Sequence, residues 1–414
     1  MKQALLILAL AFRAVAQDMP EEEQRRLSEA LAEAGSSPIE FLRALEKHLE
    51  AFPKTSKRVE IERALVKAAI EAKDERRIVL YGERVLEREQ DDLQVLERVA
   101  RALLSADDKE SAKRALPYAR RYGEMVSKMR LQQETPGRMS KGQWLEEVDR
   151  GASRALALEA RATGNLGQAE EAAALAARSF QVYPSGEAAR EAARWLIRMG
   201  KEAEAVRRLA DAFTVADPKT TEADRARDRQ RMGELYRKTS GSEKGLGDLI
   251  LESYDRTAAV LIERQQRLAE SDPNSKAINV LDFTISGLSG EKLRLSTLKG
   301  KAVVFDFWAT WCGPCRAQHP LYDQVKQKFK GNPHVVFLSV NTDEDRSVVE
   351  PFLRENRWSK TVFFEDGLSR NMQISSIPTT IVLNRRGELI SRMNGFLPDR
   401  FVKMLSERIE EALK

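Results

Sequence analysis

Asp306-Phe307-Trp308-Ala309-Thr310-Trp311-Cys312-Gly313-Pro314-Cys315 decides the fold of this chain. Just upstream, Ala302 to Trp308 is apolar on both alternating sides except at Asp306, the pattern of a strand buried in the middle of a sheet. Just downstream, Pro314 suits the first turn of a helix, where its missing N–H would have no partner anyway. Strand therefore runs directly into helix, with two cysteines at the junction. At a helix start that spacing sets them about one turn apart, close enough to close a small disulfide ring. Cys312, at the mouth of the helix, meets unpaired N–H groups and the positive end of the helix dipole, which favour a thiolate. It is the expected attacking sulfur. Cys315, one turn inside, is expected to be more shielded and to resolve a mixed disulfide by attacking Cys312. Asp306 is an acid in a buried strand, so desolvation should raise its pKa and suit it to general-base or proton-relay work for Cys315.

The rest of the inventory narrows the chemistry. Among 414 residues the only cysteines are these two, and the histidines are His48, His319 and His334. A disulfide framework is excluded, and a Cys/His zinc module cannot be assembled. Half a zinc site and a pair of inert buried thiols are the structural alternatives to redox chemistry; the lack of further cysteines removes most of the first. No metal is expected, and no cofactor beyond the redox-active disulfide Cys312–Cys315.

Composition bears on the remainder. Charged residues make up 32% of the chain, above the ~25% typical of soluble domains. Ala, Glu, Arg and Leu dominate the first two-thirds, as in exposed helices. Lys and Arg number 69 against 64 Asp and Glu, a net +5 spread through mixed-sign helices, so no nucleic-acid footprint is expected. Residues 1–16 read as a cleaved signal peptide: Lys2, an apolar run from Ala4 to Phe12, and Ala14-Val15-Ala16 before a cut at Gln17. The apolar run is too short for a bilayer, which needs about 20 residues, so no transmembrane anchor is expected in the mature chain.

From Glu21 to about Glu270 apolar residues recur at three- and four-residue spacing, predicting an all-helical region over 17–270. It contains echoes: Ala72-Lys73-Asp74 and Ala106-Asp107-Asp108, then Gly164-Asn165-Leu166-Gly167 and Gly200-Lys201-Glu202-Ala203, with Pro184 and Pro218 closing two units. This region resembles tetratricopeptide repeats, helix pairs that stack because only neighbours can cover each pair's apolar face. Asp272-Pro273-Asn274-Ser275 breaks the helical pattern, giving a linker over 271–278. Beyond it, β-rich runs at Ala302–Trp308, Val335–Val340, Thr361–Phe364 and Thr380–Leu383 alternate with helical segments, which predicts an α/β sheet with helices on both faces. The fold class is thus multidomain, a helical repeat array followed by an α/β domain over 279–414.

The segment from Asp306 to Cys315 resembles the active-site strand and turn of the thioredoxin family, and residues from Asn279 onward resemble extracytoplasmic thioredoxins of the TlpA/ResA kind. The resemblance implies a thioredoxin fold carrying an extra N-terminal hairpin, matched by Val280–Thr284 and Leu293–Ser296, and an insertion matched by Arg346 to about Met372. It makes Ile377-Pro378-Thr379 the cis-proline loop that faces the cysteines and offers backbone to a substrate, and Gly395 the residue that keeps the adjoining surface flat. Trp311, Gly313 and Pro314 would contact substrate, with Trp311 covering the site. The family places a carboxylate where Asp306 stands. The lysine that cytoplasmic thioredoxins set near this acid is replaced by Ser339, which leaves Asn341 and Asp343 as possible polar company.

The function expected is that of a thiol-disulfide oxidoreductase reducing disulfides of extracytoplasmic client proteins, with the helical repeats docking a protein or peptide. Gly313-Pro314 is the dipeptide of reducing thioredoxins, and the resemblance implies a membrane thiol electron donor and a periplasmic or other extracytoplasmic location. Two alternatives are a redoxin-type peroxide reductase, disfavoured because position 309 is Ala and Thr310 lies only two residues before Cys312, and a repeat-based adaptor with a redox-sensing domain.

Overall fold

The computed structural model describes residues 20–131 and 139–414; the signal peptide read over 1–16 lies outside the described residues. Twelve helices come first among the described residues: α1 Glu21–Ala34, α2 Pro38–Ala51, α3 Arg58–Ala72, α4 Glu75–Arg88, α5 Leu93–Ser105, α6 Lys109–Leu131, α7 Lys141–Asn165, α8 Ala169–Val182, α9 Gly186–Arg198, α10 Glu202–Thr214, α11 Glu222–Ser240 and α12 Leu246–Ser271. Side-chain caps set several starts: Ser37, Asp74, Asp92, Ser185 and Thr221 each accept a hydrogen bond from a backbone N–H three residues on. Consecutive helices pack on one another from α1 through α6 and from α8 through α11, and no described helix is long and apolar enough to cross a membrane.

The echo in the sequence is real but its register differs. Gly167 and Gly200, both at positive φ (+103° and +73°), make the turns that precede α8 and α10. Gly164 instead permits a close approach, since it lies inside α7 where a Cβ would stand 2.3 Å from the Trp195 ring. Trp195 is fully buried there and donates its indole N–H to Glu191 at 2.8 Å.

Two compact units result among the described residues, one of 20–131 with 148–261, the other of 139–147 with 262–414. In the second, the turn after α12 is firmly tied. Buried Asp272 accepts hydrogen bonds from the Ser140 hydroxyl, the Gly142 N–H (3.0 Å) and the Asn274 N–H (2.8 Å). Asn274 in turn donates to the Thr284 carbonyl and accepts from the Thr284 N–H.

The sheet-bearing part begins with an antiparallel hairpin, β1 Thr284–Ser286 and β2 Lys292–Arg294. Five strands follow, β3 Ala302–Trp308, β4 Val335–Asn341, β5 Val362–Phe364, β6 Thr379–Leu383 and β7 Leu389–Asn394, in the order β5-β4-β3-β6-β7. β3 is central, parallel to β4 and antiparallel to β6, with Asp306 opposite Ser339 on one side and Thr380 on the other. Helices α13 Gly313–Lys328, α14 Val349–Glu355, α15 Leu368–Asn371 and α16 Pro398–Ala412 complete it.

Helices lie on both faces of the sheet, as the sequence predicts, but cover them unequally. Ala302 and Val304 meet Tyr322 and Val325 of α13 and Phe401, Leu405 and Ile409 of α16, while Trp308 meets Val349 and Leu353 of α14. All three longer helices thus lie on the Asp306 side. The opposite residues, Val303, Phe305 and Phe307, are buried by Phe283, Ile285, Leu295 and Leu298 of the hairpin segment and by Leu368 of the four-residue α15. Side chains alternate across a strand, so a hairpin can cover the second face as well as a helix can.

Candidate active site

β3 ends beneath the N-terminus of α13, and Cys312 and Cys315 are joined there by a disulfide with their Cα atoms 5.3 Å apart. Cys312 is the N-cap of α13, and its Sγ accepts the Cys315 N–H at 3.1 Å. That N–H is one of the orphan donors at a helix start. After reduction it is positioned to stabilise negative charge on the same sulfur. Accessibility does not separate the two cysteines, which are 3% and 5% exposed; what distinguishes them is their place on the helix. Gly313 and Pro314 are exposed around them. Trp311 is 69% exposed and projects into solvent rather than packing in the core.

The turn before Cys312 is clamped from β4. Asp343, buried just past that strand, accepts both the N–H and the hydroxyl of Thr310, each at 2.8 Å, and the Asn341 amide at 2.7 Å. Asn341 and Asp343 therefore bond to each other, and Asp343 to the Thr310 turn, rather than to Asp306. The Thr310 hydroxyl is likewise spent on Asp343.

Asp306 lies on the face that α13 covers and is buried. Its Oδ1 accepts the Gln318 amide at 3.2 Å, and the same amide donates to Thr380 at 3.2 Å. Gln318 follows Cys315 by three residues, which puts both on the inner side of α13, a signal present in the sequence but unused. Burial pushes the Asp306 carboxyl above its usual range, while the charge of Lys360 pulls it down, Asp323 raises it and the Gln318 hydrogen bond lowers it. Lys360 is the other residue the sequence reading missed. It belongs to the Arg346–Met372 insertion, and only the pairing of β5 with β4 brings it to this face.

The proline loop adjoins the disulfide. The Ile377–Pro378 bond is cis, and half-buried Ile377 packs against the cluster that holds Cys312, Cys315 and Trp308. Gly395 donates its N–H to the Pro378 carbonyl at 2.8 Å. Its φ of +78° favours glycine, and a side chain there would face open space.

Comparison with known proteins gives a match to the thioredoxin-like family over residues 300–389. The thiol-disulfide oxidoreductase ResA of Halalkalibacterium halodurans is 29% identical over 132 residues, 31% of this chain and 74% of that protein. ResA of Bacillus subtilis is 28% identical over 134 residues, covering 31% and 72%. A solved structure of a thiol:disulfide interchange protein DsbE from Chlorobium tepidum is 30% identical and aligns over 32% of this chain and 93% of that one, with a TM-score of 0.30. The family match spans the disulfide-bearing strand and helix together with the proline loop, and in agreement with the sheet order and the ResA relatives, the C-terminal part of this chain is a thioredoxin-like thiol-disulfide oxidoreductase domain.

Proposed function

We propose that this chain is exported and reduces disulfides in extracytoplasmic client proteins, and that its helical region holds the client. The observation that carries this reading is the Cys312–Cys315 pair at the start of α13 with a buried acid on the strand beneath. In the reduced state, Cys312 as thiolate attacks a client disulfide. One client sulfur leaves, and a mixed disulfide forms on Cys312. Cys315 loses its proton, for which Asp306 is the acceptor, and attacks Cys312 Sγ. The client's second thiol is released, and the Cys312–Cys315 disulfide re-forms. Two electrons and two protons pass to the client, and a membrane thiol carrier restores the dithiol. The pair's own disulfide is the only cofactor this cycle needs. Trp311, Gly313, Pro314, Ile377, Pro378 and Gly395 form the surface on which the client segment lies.

Electron flow toward the client follows from what surrounds Cys312. Strong oxidants of this fold class lie near −120 mV against about −270 mV for reducing ones, a gap of about 7 kcal/mol in thiolate stabilisation. A helix N-terminus contributes ~0.3 to 1 kcal/mol, up to ~2, and no histidine stands between the cysteines. Equilibration of the purified protein against glutathione should give a potential below about −150 mV, with insulin disulfides reduced when a dithiol donor is supplied. A potential near −120 mV would assign the protein to disulfide formation.

For client docking, support comes from a cavity of about 470 Å3 in the helical region, edged by Arg190, Arg194, Arg198, Arg227 and Arg231 with Asp224 and Asp228, over an apolar floor that includes Ile197 and Leu209. The five arginines are paired with four carboxylates, Asp107, Asp224, Asp228 and Glu234, and the one cation in excess suits an acidic segment of a partner that can compete for these pairs.

A further inference from the structure

Lys360 stands two residues before β5, and its Nζ lies 3.8 Å from the centroid of the Trp308 ring and 4.5 Å from that of Trp358. An ammonium over an indole face is attracted by the ring's negative quadrupole, so the two rings hold the lysine by its charged end. Trp308 is two residues on from Asp306 along β3, hence on the same face, and it packs in one cluster with Cys312 and Cys315. The register continues across the sheet: Asp306 opposes Ser339, and Ser339 opposes Val362. Ser339 leaves the acid without a cation at its own register position, and the lysine held on Trp308, two residues ahead of the next strand, supplies one.

We propose that Lys360 is a positioning residue that sets the charge state of Asp306 during resolution of the mixed disulfide. The proposal rests on the reading that Asp306 accepts the Cys315 proton. The other groups bearing on Lys360 are known by element. From β3 come Asp306 and the Trp308 ring; from α13 come Asp323 and Lys326, with His319 feeling the lysine's charge; the loop after α14 brings Trp358. His319 stacks on Trp358 at 3.8 Å and faces half-exposed Asp323 at 3.4 Å. Burial holds Lys360 down at about 8 while Asp306 and Asp323 pull it up. Burial first, and Lys360 second, hold His319 at about 4. At neutral pH the lysine is therefore mainly charged, and its field favours the ionised form of Asp306.

The test follows release of a mixed disulfide from the full chain between pH 5 and 9, using glutathione bound to Cys312 as the probe. Lys360→Met should move the midpoint of the rate profile upward and slow release at pH 7 roughly threefold to tenfold, the scale of losing one neighbouring opposite charge. Lys360→Arg should restore the wild-type profile, and in an Asp306→Asn background Lys360→Met should change nothing further. As a readout independent of rate, the NMR titration midpoint of His319 should rise in Lys360→Met, because a cation that opposed its protonation is gone; Lys360→Gln repeats both readings with a polar side chain. If Lys360→Met and Lys360→Gln track wild type while Asp306→Asn still slows release, the proposal falls and the acid's role stands. Equal slowing by Met and Arg would make Lys360 a packing residue. No slowing by Asp306→Asn would remove the base reading, and this proposal with it.

Discussion

Asp306 is where the buried environment and the proposed chemistry meet, and its raised pKa fixes a sign. A carboxyl that titrates near 3.8 when unfolded and higher when folded destabilises the fold once ionised. The penalty is absent below the unfolded value and grows as pH rises through the folded one. Asp306→Asn should therefore raise the melting temperature over wild type by a margin that widens from pH 4 to pH 8, read by thermal scans in matched buffers; a margin that narrows with pH would contradict the assignment. His319 acts in the opposite range. Held at about 4 against 6.5 for a free imidazole, it favours folding above pH 6.5, and that contribution is lost as pH falls from 6.5 toward 4. His319→Gln should flatten the acid limb of the stability curve over that pH window. The cysteines and Asp306 were legible because each announces itself within a few residues, a spacing and a misplaced charge, whereas Ile377-Pro378-Thr379 was legible only through the resemblance to the thioredoxin family. Lys360 was not legible, since its role depends on β5 lying beside β4, a long-range pairing that local pattern does not carry.

At the scale of elements, the site depends on the joint between β3 and α13 more than on either alone. Asp343 reaches from the end of β4 to hold Thr310 by two hydrogen bonds, and Thr310 begins the turn that presents Trp311 and Cys312. Asp343→Ala strips the half-buried Thr310 N–H and the buried Asn341 amide of their partner, which costs about 1–3 kcal/mol. Urea unfolding should register that loss, and alkylation of reduced Cys312 should become less selective over Cys315. Stability within ~0.5 kcal/mol of wild type would mean the turn holds itself. In the helical region the corresponding joint is Gly164 against Trp195. A methyl group at 2.3 Å from the ring cannot be accommodated without displacing it, so Gly164→Ala should destabilise that unit by about 1–3 kcal/mol despite alanine's better helix propensity. The sequence showed that glycines recur between helices, yet it paired Gly164 with Gly200, three residues out of register, because a glycine for a crossing and a glycine for a turn look the same in one dimension. The uneven covering of the sheet escaped for a related reason: strand and helix alternation reports that the sheet is covered, whereas the hairpin before β3 decides with what.

In the proposed cycle two kinds of surface act in sequence, a helical region rich in paired charges and a thioredoxin-like site that exchanges disulfides. Reversing Arg227 and Arg231 to glutamate in the full chain changes exposed residues of the basic cavity that take no part in the redox cycle. Capture of extracytoplasmic clients as mixed disulfides should fall while insulin reduction stays as in the parent; capture unchanged in both amount and identity would remove the docking role. The central claim, that Cys312 attacks and Cys315 resolves, is tested most directly by mapping the trapped species. The reduced Cys315→Ser protein, mixed with a disulfide-bonded peptide and digested without reductant, should yield a mixed disulfide on Cys312 that persists for hours, while Cys312→Ser should yield little or none. A stable adduct on Cys315 in Cys312→Ser, with none on Cys312 in the reciprocal variant, would contradict the account.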